Sequence, residues 1–296
     1  MSISVERLRK LLGIRKAGLT LETCELDNHG THVVERLHFR SGDGAPIRGI
    51  LTRPAATSRP LPAILYAHAH GDRYDIGARE LVDGRPALLD PPGPAYAREG
   101  FVALSIDMPV FGERAGTSES AASKAALWQG RTLFGQMLDE QSAALTWLAQ
   151  RSDVDPRRIG MTGISMGATL TYFLAAIDKR IAAIAHLCCY ADFATLVETG
   201  AHDRHGHYLT IPGFLKESST GEIAGMVAPR PQLICVGTED PLTPPVAVRR
   251  AFAVTAAAYD RLAAASALSL VTEHGIGHSE TPSMRRAVLD FFREKL

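Results

Sequence analysis

The sequence predicts a doubly wound α/β fold: a mostly parallel sheet of eight strands with helices on both faces. Three observations carry that expectation. From Leu61 onward, short apolar runs alternate with helix-length stretches. Those runs are apolar at successive positions, as strands covered on both faces must be. The chain has 296 residues, 46% hydrophobic and 22% charged, enough apolar material and length to bury such a sheet in a single domain spanning 1–296.

The elements follow in order. At the N-terminus, MSISVERLRKLLGIRKAGLT scatters charges among its apolar positions and has no continuous apolar run. The first 30 residues are therefore expected to be a helical extension built on a short amphipathic helix, and not an export signal. THVVERLHF and APIRGILTRP, joined by SGDG, have the composition of an antiparallel hairpin at one edge. The remaining strands are LPAILYAH, FVALSIDM, RIGMTGIS, IAAIAHLCC, PQLICVG and ALSLVTEH.

Helices are expected over roughly 131–150, 166–177, 245–264 and 281–294; in the first, Leu133, Met137, Ala144, Leu145 and Leu148 approximate helical spacing. Two segments break the rhythm. Residues 72–98 are rich in Asp, Arg, Gly and Pro, and 191–229 separates two strands with mixed helix and loop character. Such segments after strand ends are where α/β proteins place substrate-binding loops, so 191–229 is expected to be a lid-like insertion.

Composition narrows the function. Lys plus Arg and Asp plus Glu both number 32, without blocks of like charge, so nothing suggests nucleic acid or an anionic membrane as a partner. A small-molecule substrate fits better. No stretch approaches the roughly 18 uninterrupted apolar residues that a membrane span requires. Cys24, Cys188, Cys189 and Cys235 show no metal spacing, and the last three fall in apolar runs, as reduced core residues of a cytoplasmic protein would.

The strongest chemical signal is Gly163-Ile164-Ser165-Met166-Gly167, which follows the strand-like Arg158 to Thr162 and precedes the helix-forming ATLTYFLAAI. A serine at a sharp strand-to-helix turn is held in a strained conformation, and glycines flank it because side chains there would clash with neighbouring backbone. The turn exposes the hydroxyl above the sheet, with a helix N-terminus behind it for a developing oxyanion. Met166 N–H is the expected first oxyanion donor.

A serine hydroxyl needs a base, and the base needs a group that fixes its tautomer. Thr238-Glu239-Asp240-Pro241 follows one strand and Gly275-Ile276-Gly277-His278 follows the next, so acid and base come after the serine in that order. Asp240 is favoured over Glu239 because the prolines after it stiffen its turn. His278 is favoured over His274 because its Gly-flanked loop can reach the serine. Asp107, at an earlier strand end, is expected to order the loop that follows it.

His68-Ala69-His70-Gly71-Asp72 closes the first central strand, and the N–H of Asp72 or Gly71 is the candidate second oxyanion donor. His68 is expected to be a satisfied strand histidine, and His70 to shape the oxyanion loop or to be one likewise. His202-Asp203-Arg204-His205-Gly206-His207-Tyr208 concentrates three imidazoles in the insertion, but matches no compact zinc template, and the Ser-His-Asp chemistry requires no metal or other cofactor. A polar lid over the pocket is the expectation, with His70, His207 and Tyr208 as candidate substrate-binding residues.

With these motifs in place, residues 31–294 resemble the α/β-hydrolase superfamily, and within it the dienelactone hydrolase-like and acetyl xylan esterase-like branches. His70-Gly71, the Ser165 pentapeptide, Asp240 before Pro241 and Gly277-His278 carry the resemblance. It implies the α/β-hydrolase fold and a carboxylic ester hydrolase, of esterase or deacetylase type acting on short acyl groups. Dienelactone hydrolases proper use cysteine where this chain has Ser165, which favours the esterase reading. Two alternatives stay open: a peptidase or amidase with the same triad, and a non-catalytic binding protein on the same fold. A homodimer is expected only from how commonly such enzymes associate.

Overall fold

The structure is a computed structural model and describes residues 3–296, so the first two residues of the expected N-terminal extension lie outside the described residues. Within that extension only Val5–Leu12 (α1) is α-helical. Ser4 caps it by accepting the Arg7 N–H, Gly13 ends it in the left-handed region, and Leu8 and Leu12 are buried. Leu19–Asn28 is a strand (β1), paired antiparallel with His32–Ser41 (β2), which pairs antiparallel with Pro46–Pro54 (β3). The expected helical extension to residue 30 is thus corrected from Leu19 onward, and the sheet has nine strands among the described residues, not eight. Exposure is the reason. β1 is an edge strand that meets solvent along almost its whole length, so it lacks the apolar run by which buried strands are read. Its ladder to β2 holds it, with small help from the exposed pairs Arg36–Asp27 and Arg40–Glu22.

The other strands fall where expected: Leu61–Ala67 (β4), Val102–Ile106 (β5), Val154–Ile164 (β6), Ala183–Leu187 (β7), Gln232–Gly237 (β8) and Leu268–Glu273 (β9). Their order is β1-β2-β3-β5-β4-β6-β7-β8-β9. β3 joins β5 antiparallel, and every pair from β5 to β9 is parallel. The α/β-hydrolase arrangement expected from the sequence is therefore present, with the antiparallel hairpin at its side.

The remaining helices are Glu80–Asp83 (α2), Pro92–Arg98 (α3), Glu119–Trp128 (α4), Leu133–Ala149 (α5), Met166–Ile177 (α6), Phe193–Thr199 (α7), Phe214–Glu217 (α8), Thr220–Gly225 (α9), Pro245–Arg261 (α10) and Pro282–Lys295 (α11). Alternating side chains feed two cores. Along β4, Ala63, Leu65 and Ala67 join Leu8 of α1, Phe134 and Leu145 of α5 and Phe173 of α6 on one face. Ile64 and Tyr66 join Leu81 of α2, Tyr96 of α3 and Val288 and Phe292 of α11 on the other. No helix of the described residues is long and apolar enough to cross a membrane.

This topology decides where chemistry can sit. Parallel strands deliver their C-terminal ends to one edge, and the chain passes from β4 to β5 on one side before crossing back to β6 on the other. The ends of β4 and β6 therefore flank the switch point, the crevice in which open α/β sheets bind ligands.

Candidate active site

Ser165 joins β6 to α6 with φ 60° and ψ −122°, a conformation that L-residues avoid. Close packing enforces it. A Cβ on Gly163 would lie 2.4 Å from the Ala67 carbonyl oxygen, and one on Gly167 only 1.9 Å from the same atom. Nothing larger than glycine lets α6 approach the end of β4, and that approach leaves the serine no relaxed alternative. Ser165 N–H donates to the Leu187 carbonyl at 2.9 Å, which pins the turn to β7. Met166 is the first residue of α6, and no side chain caps that helix end. Its leading amides are unclaimed by a capping group and carry the positive end of the helix dipole.

His278 and Asp240 meet. The Nδ1–H of His278 donates to Asp240 Oδ2 at 2.7 Å, leaving Nε2 as the ring's free nitrogen. The Asp240 side chain is fully buried and its other oxygen accepts the Leu242 N–H at 2.9 Å, so the carboxylate is fixed from both ends. Glu239 and His274, the competing residues, are exposed. The His278 loop is itself fastened: Glu280 N–H donates to the Ala87 carbonyl, and the Glu280 carboxylate pairs with Arg285 of α11, which also binds Asp90.

The turn after β4 is strained as well, with φ 52° at both Gly71 and Asp72. Two buried charges lie beneath it. Glu80 accepts the Ala69 N–H and the Tyr66 hydroxyl, while Arg85 pairs with Glu80 and donates to the Ala69 carbonyl. The Asp72 N–H does not point away unpartnered: it donates to His70 Nδ1 at 3.1 Å. His68 is satisfied as expected, with Nδ1 on the Ala69 carbonyl and Nε2 accepting the Met108 N–H, and burial pushes its pKa down to about 3. Asp107 orders its loop, accepting the Ala78 and Glu113 amides and pairing with Arg48.

The histidines of the insertion diverge. His202 contacts the Leu196 carbonyl, His205 Nε2–H donates to the Leu242 carbonyl at 3.1 Å, and His207 is exposed. Burial lowers the His205 pKa, which keeps that ring neutral while it fastens the insertion to the Asp240 loop. Among the described residues no group of three His, Cys, Asp or Glu side chains could hold a metal ion. Tyr208 is buried and stacks on the buried His70 at 5.6 Å, so both rings are engaged in packing, whereas His207 faces a cavity of about 490 Å³. That cavity is walled by residues 193–216, including Phe193, Leu196, His205, Ile211 and Phe214, and by none of Ser165, Asp240 and His278.

Sequence reasoning missed Glu119, Tyr74, Glu80 and Arg85. Ser118, which caps α4 by accepting the Ala121 N–H, was a legible helix start and would have placed Glu119 in a first turn. Nothing in the sequence marks its distant partners.

Residues 43–224 match the X-Pro dipeptidyl-peptidase (S15) family. The YtaP protein of Bacillus subtilis (strain 168) is 34% identical over 282 residues, covering 94% of this chain and 93% of its own length. Among solved structures, an acetyl xylan esterase from Paenibacillus sp. R4 superposes with a TM-score of 0.69 at 20% identity, over 99% of this chain and 93% of that one. A glucuronoyl esterase from Solibacter usitatus superposes with a TM-score of 0.69 at 14% identity, over 98% and 92%. At those identities the two structures establish a common fold.

Proposed function

The chain belongs to the X-Pro dipeptidyl-peptidase (S15) family, and from that footing we propose that it hydrolyses carboxylic esters of short acyl groups through Ser165, His278 and Asp240. The observation that carries this reading is a strained serine at a strand-to-helix turn on the same sheet edge as a histidine hydrogen-bonded to a buried aspartate. Ser165 Oγ attacks the ester carbonyl while His278 Nε2 takes its proton, and Asp240 stabilises the imidazolium through Nδ1. Met166 N–H and the amides of the Gly71–Asp72 turn receive the oxyanion. The intermediate collapses as His278 returns the proton to the departing alcohol. Water, deprotonated by His278, then attacks the acyl-enzyme and releases the acid. The cavity of residues 193–216 seats a non-reacting part of the substrate, with His207 at its wall.

Wild-type protein should release p-nitrophenol from p-nitrophenyl acetate faster than from longer acyl esters. Ser165→Ala should leave only the residual of binding and the oxyanion hole, on the order of 10³- to 10⁴-fold over water. A Ser165→Ala variant as active as wild type would overturn the mechanism.

A second reading is a peptidase or amidase with the same three residues, which the description of the matched family favours. The ester names of solved structures sharing the fold favour the first. Comparing p-nitrophenyl acetate with an X-Pro p-nitroanilide separates them: higher kcat/KM on the ester supports ester hydrolysis, and the reverse replaces it with dipeptide release.

A further inference from the structure

Glu119 opens α4, far from Ser165 in sequence, yet its carboxylate is buried and accepts hydrogen bonds from three residues. His70 Nε2–H reaches Oε2 at 2.9 Å, the Tyr74 hydroxyl reaches the same oxygen at 2.8 Å, and the Tyr208 N–H from the insertion reaches Oε1. His70 completes the chain of contacts by accepting the Asp72 N–H on Nδ1 at 3.1 Å. Its ring cannot turn, since Tyr208 stacks on it and Phe111 and Tyr74 meet it edge-on. The insertion backbone lies directly on the pair: a Cβ at Gly206 would fall 2.7 Å from Glu119 Oε1 and 2.8 Å from His70 Nε2.

We propose that Glu119, acting through His70, is a positioning residue that sets the oxyanion turn, and that the insertion completes this arrangement when it packs over the site. This rests on the reading of Ser165 as nucleophile and of the Gly71–Asp72 turn as an oxyanion donor. The chemistry follows from hydrogen inventories. Burial works against the Glu119 charge, but the His70, Tyr74 and Tyr208 donors outweigh it and hold its pKa below the usual carboxylate range. An ionised Glu119 only accepts, which keeps the His70 proton on Nε2 and leaves Nδ1 as the acceptor that holds the Asp72 amide. The strained turn is thereby kept in one conformation before substrate arrives. When negative charge develops on the substrate oxygen, it is a stronger acceptor than a neutral imidazole and draws that amide to itself.

Glu119→Gln tests the proposal with almost no change of shape. A glutamine has one acceptor oxygen where the carboxylate has two, so its NH₂ must oppose either Tyr208 N–H or the His70 and Tyr74 donors. On p-nitrophenyl acetate, kcat should fall about 10²-fold with KM within about twofold, as for loss of one oxyanion donor. Affinity for a trifluoromethyl ketone, which forms a tetrahedral adduct on the serine, should fall by a similar factor. Unchanged kcat, or a change confined to KM, would overturn the proposal. If Glu119→Gln does not fold, as judged by its urea transition, His70→Phe carries the test: it keeps a ring against Tyr208 and Phe111, removes the Nδ1 acceptor and must show the same paired losses, and wild-type kcat there refutes the idea. Ser165→Ala run in parallel keeps the two readings apart. Full activity in that variant sinks the nucleophile assignment, whereas Ser165-dependent turnover indifferent to Glu119 and His70 sinks only this one.

Discussion

Ser165 keeps a backbone conformation worth on the order of 1–3 kcal/mol of strain because its neighbours permit no other. Asp240 is the complementary case, a carboxylate whose two oxygens are both committed, one to His278 and one to the Leu242 amide. Asp240→Asn should leave the fold intact and lower kcat about 10⁴-fold, since an amide NH₂ facing the ring stabilises the wrong tautomer; steady-state kinetics beside a urea transition would check both halves. At this scale Ser165 and its glycines were fully legible, because a strand, a sharp turn and a helix succeed each other locally. The preference for Asp240 over Glu239 was legible only as a tendency. Which of two adjacent acids turns inward depends on how the chain leaves β8, and on the Glu239 N–H donating to the Ile276 carbonyl of the neighbouring loop. Glu119 was illegible as a site residue, since its partners lie 45 to 89 residues away.

The approach of α6 to β4 is set by Gly167, so Gly167→Ala, whose methyl would meet the Ala67 carbonyl, should cost roughly 1–3 kcal/mol of stability and displace Ser165 enough to lose activity. A lower urea midpoint together with lost esterase turnover is the expected pair of results. The insertion is fastened more lightly. His205→Ala, removing one hydrogen bond to Leu242, should cost about 0.5–1.5 kcal/mol, and its effect should be local. Limited proteolysis should then cut residues 193–216 sooner while the urea midpoint of the whole chain barely moves. The parallel strands were readable because burial on both faces forces continuous apolar runs, α5 because its buried positions approximate helical spacing, and α6, buried all round, because a helix-forming run follows Ser165. β1 failed for the opposite reason: exposed and polar, it is specified by its pairing with β2. The short helices α2 and α3 hide in a segment whose order comes from Glu80 and Arg85, buried charges that composition presents as loop.

Across the whole molecule, two imidazoles are sealed in the sheet region. His68 and His186 are fully buried, and burial pushes each pKa down to about 3 from the ordinary 6.5. With the folded value depressed, the unfolded chain binds more protons between those limits, so stability is fully present above about pH 6.5 and is lost as pH falls. At pH 5 the loss should be roughly 2 kcal/mol per imidazole. Glu80, Asp107, Asp139 and Glu140, raised by burial, work in the opposite sense, since the folded chain takes up their protons first as pH falls. The histidine share is therefore read by difference: the drop in urea midpoint between pH 7 and pH 5 should shrink in His186→Gln, and an equal drop in that variant would show that the ring is not held neutral. The reactivity of Ser165 decides between catalyst and bystander: the protein is treated with a fluorophosphonate and the adduct located by peptide mass spectrometry. One adduct is expected, on Ser165, absent from Ser165→Ala and formed far more slowly in Asp240→Asn. Adduct on another residue, or none on Ser165 in folded protein, would contradict it.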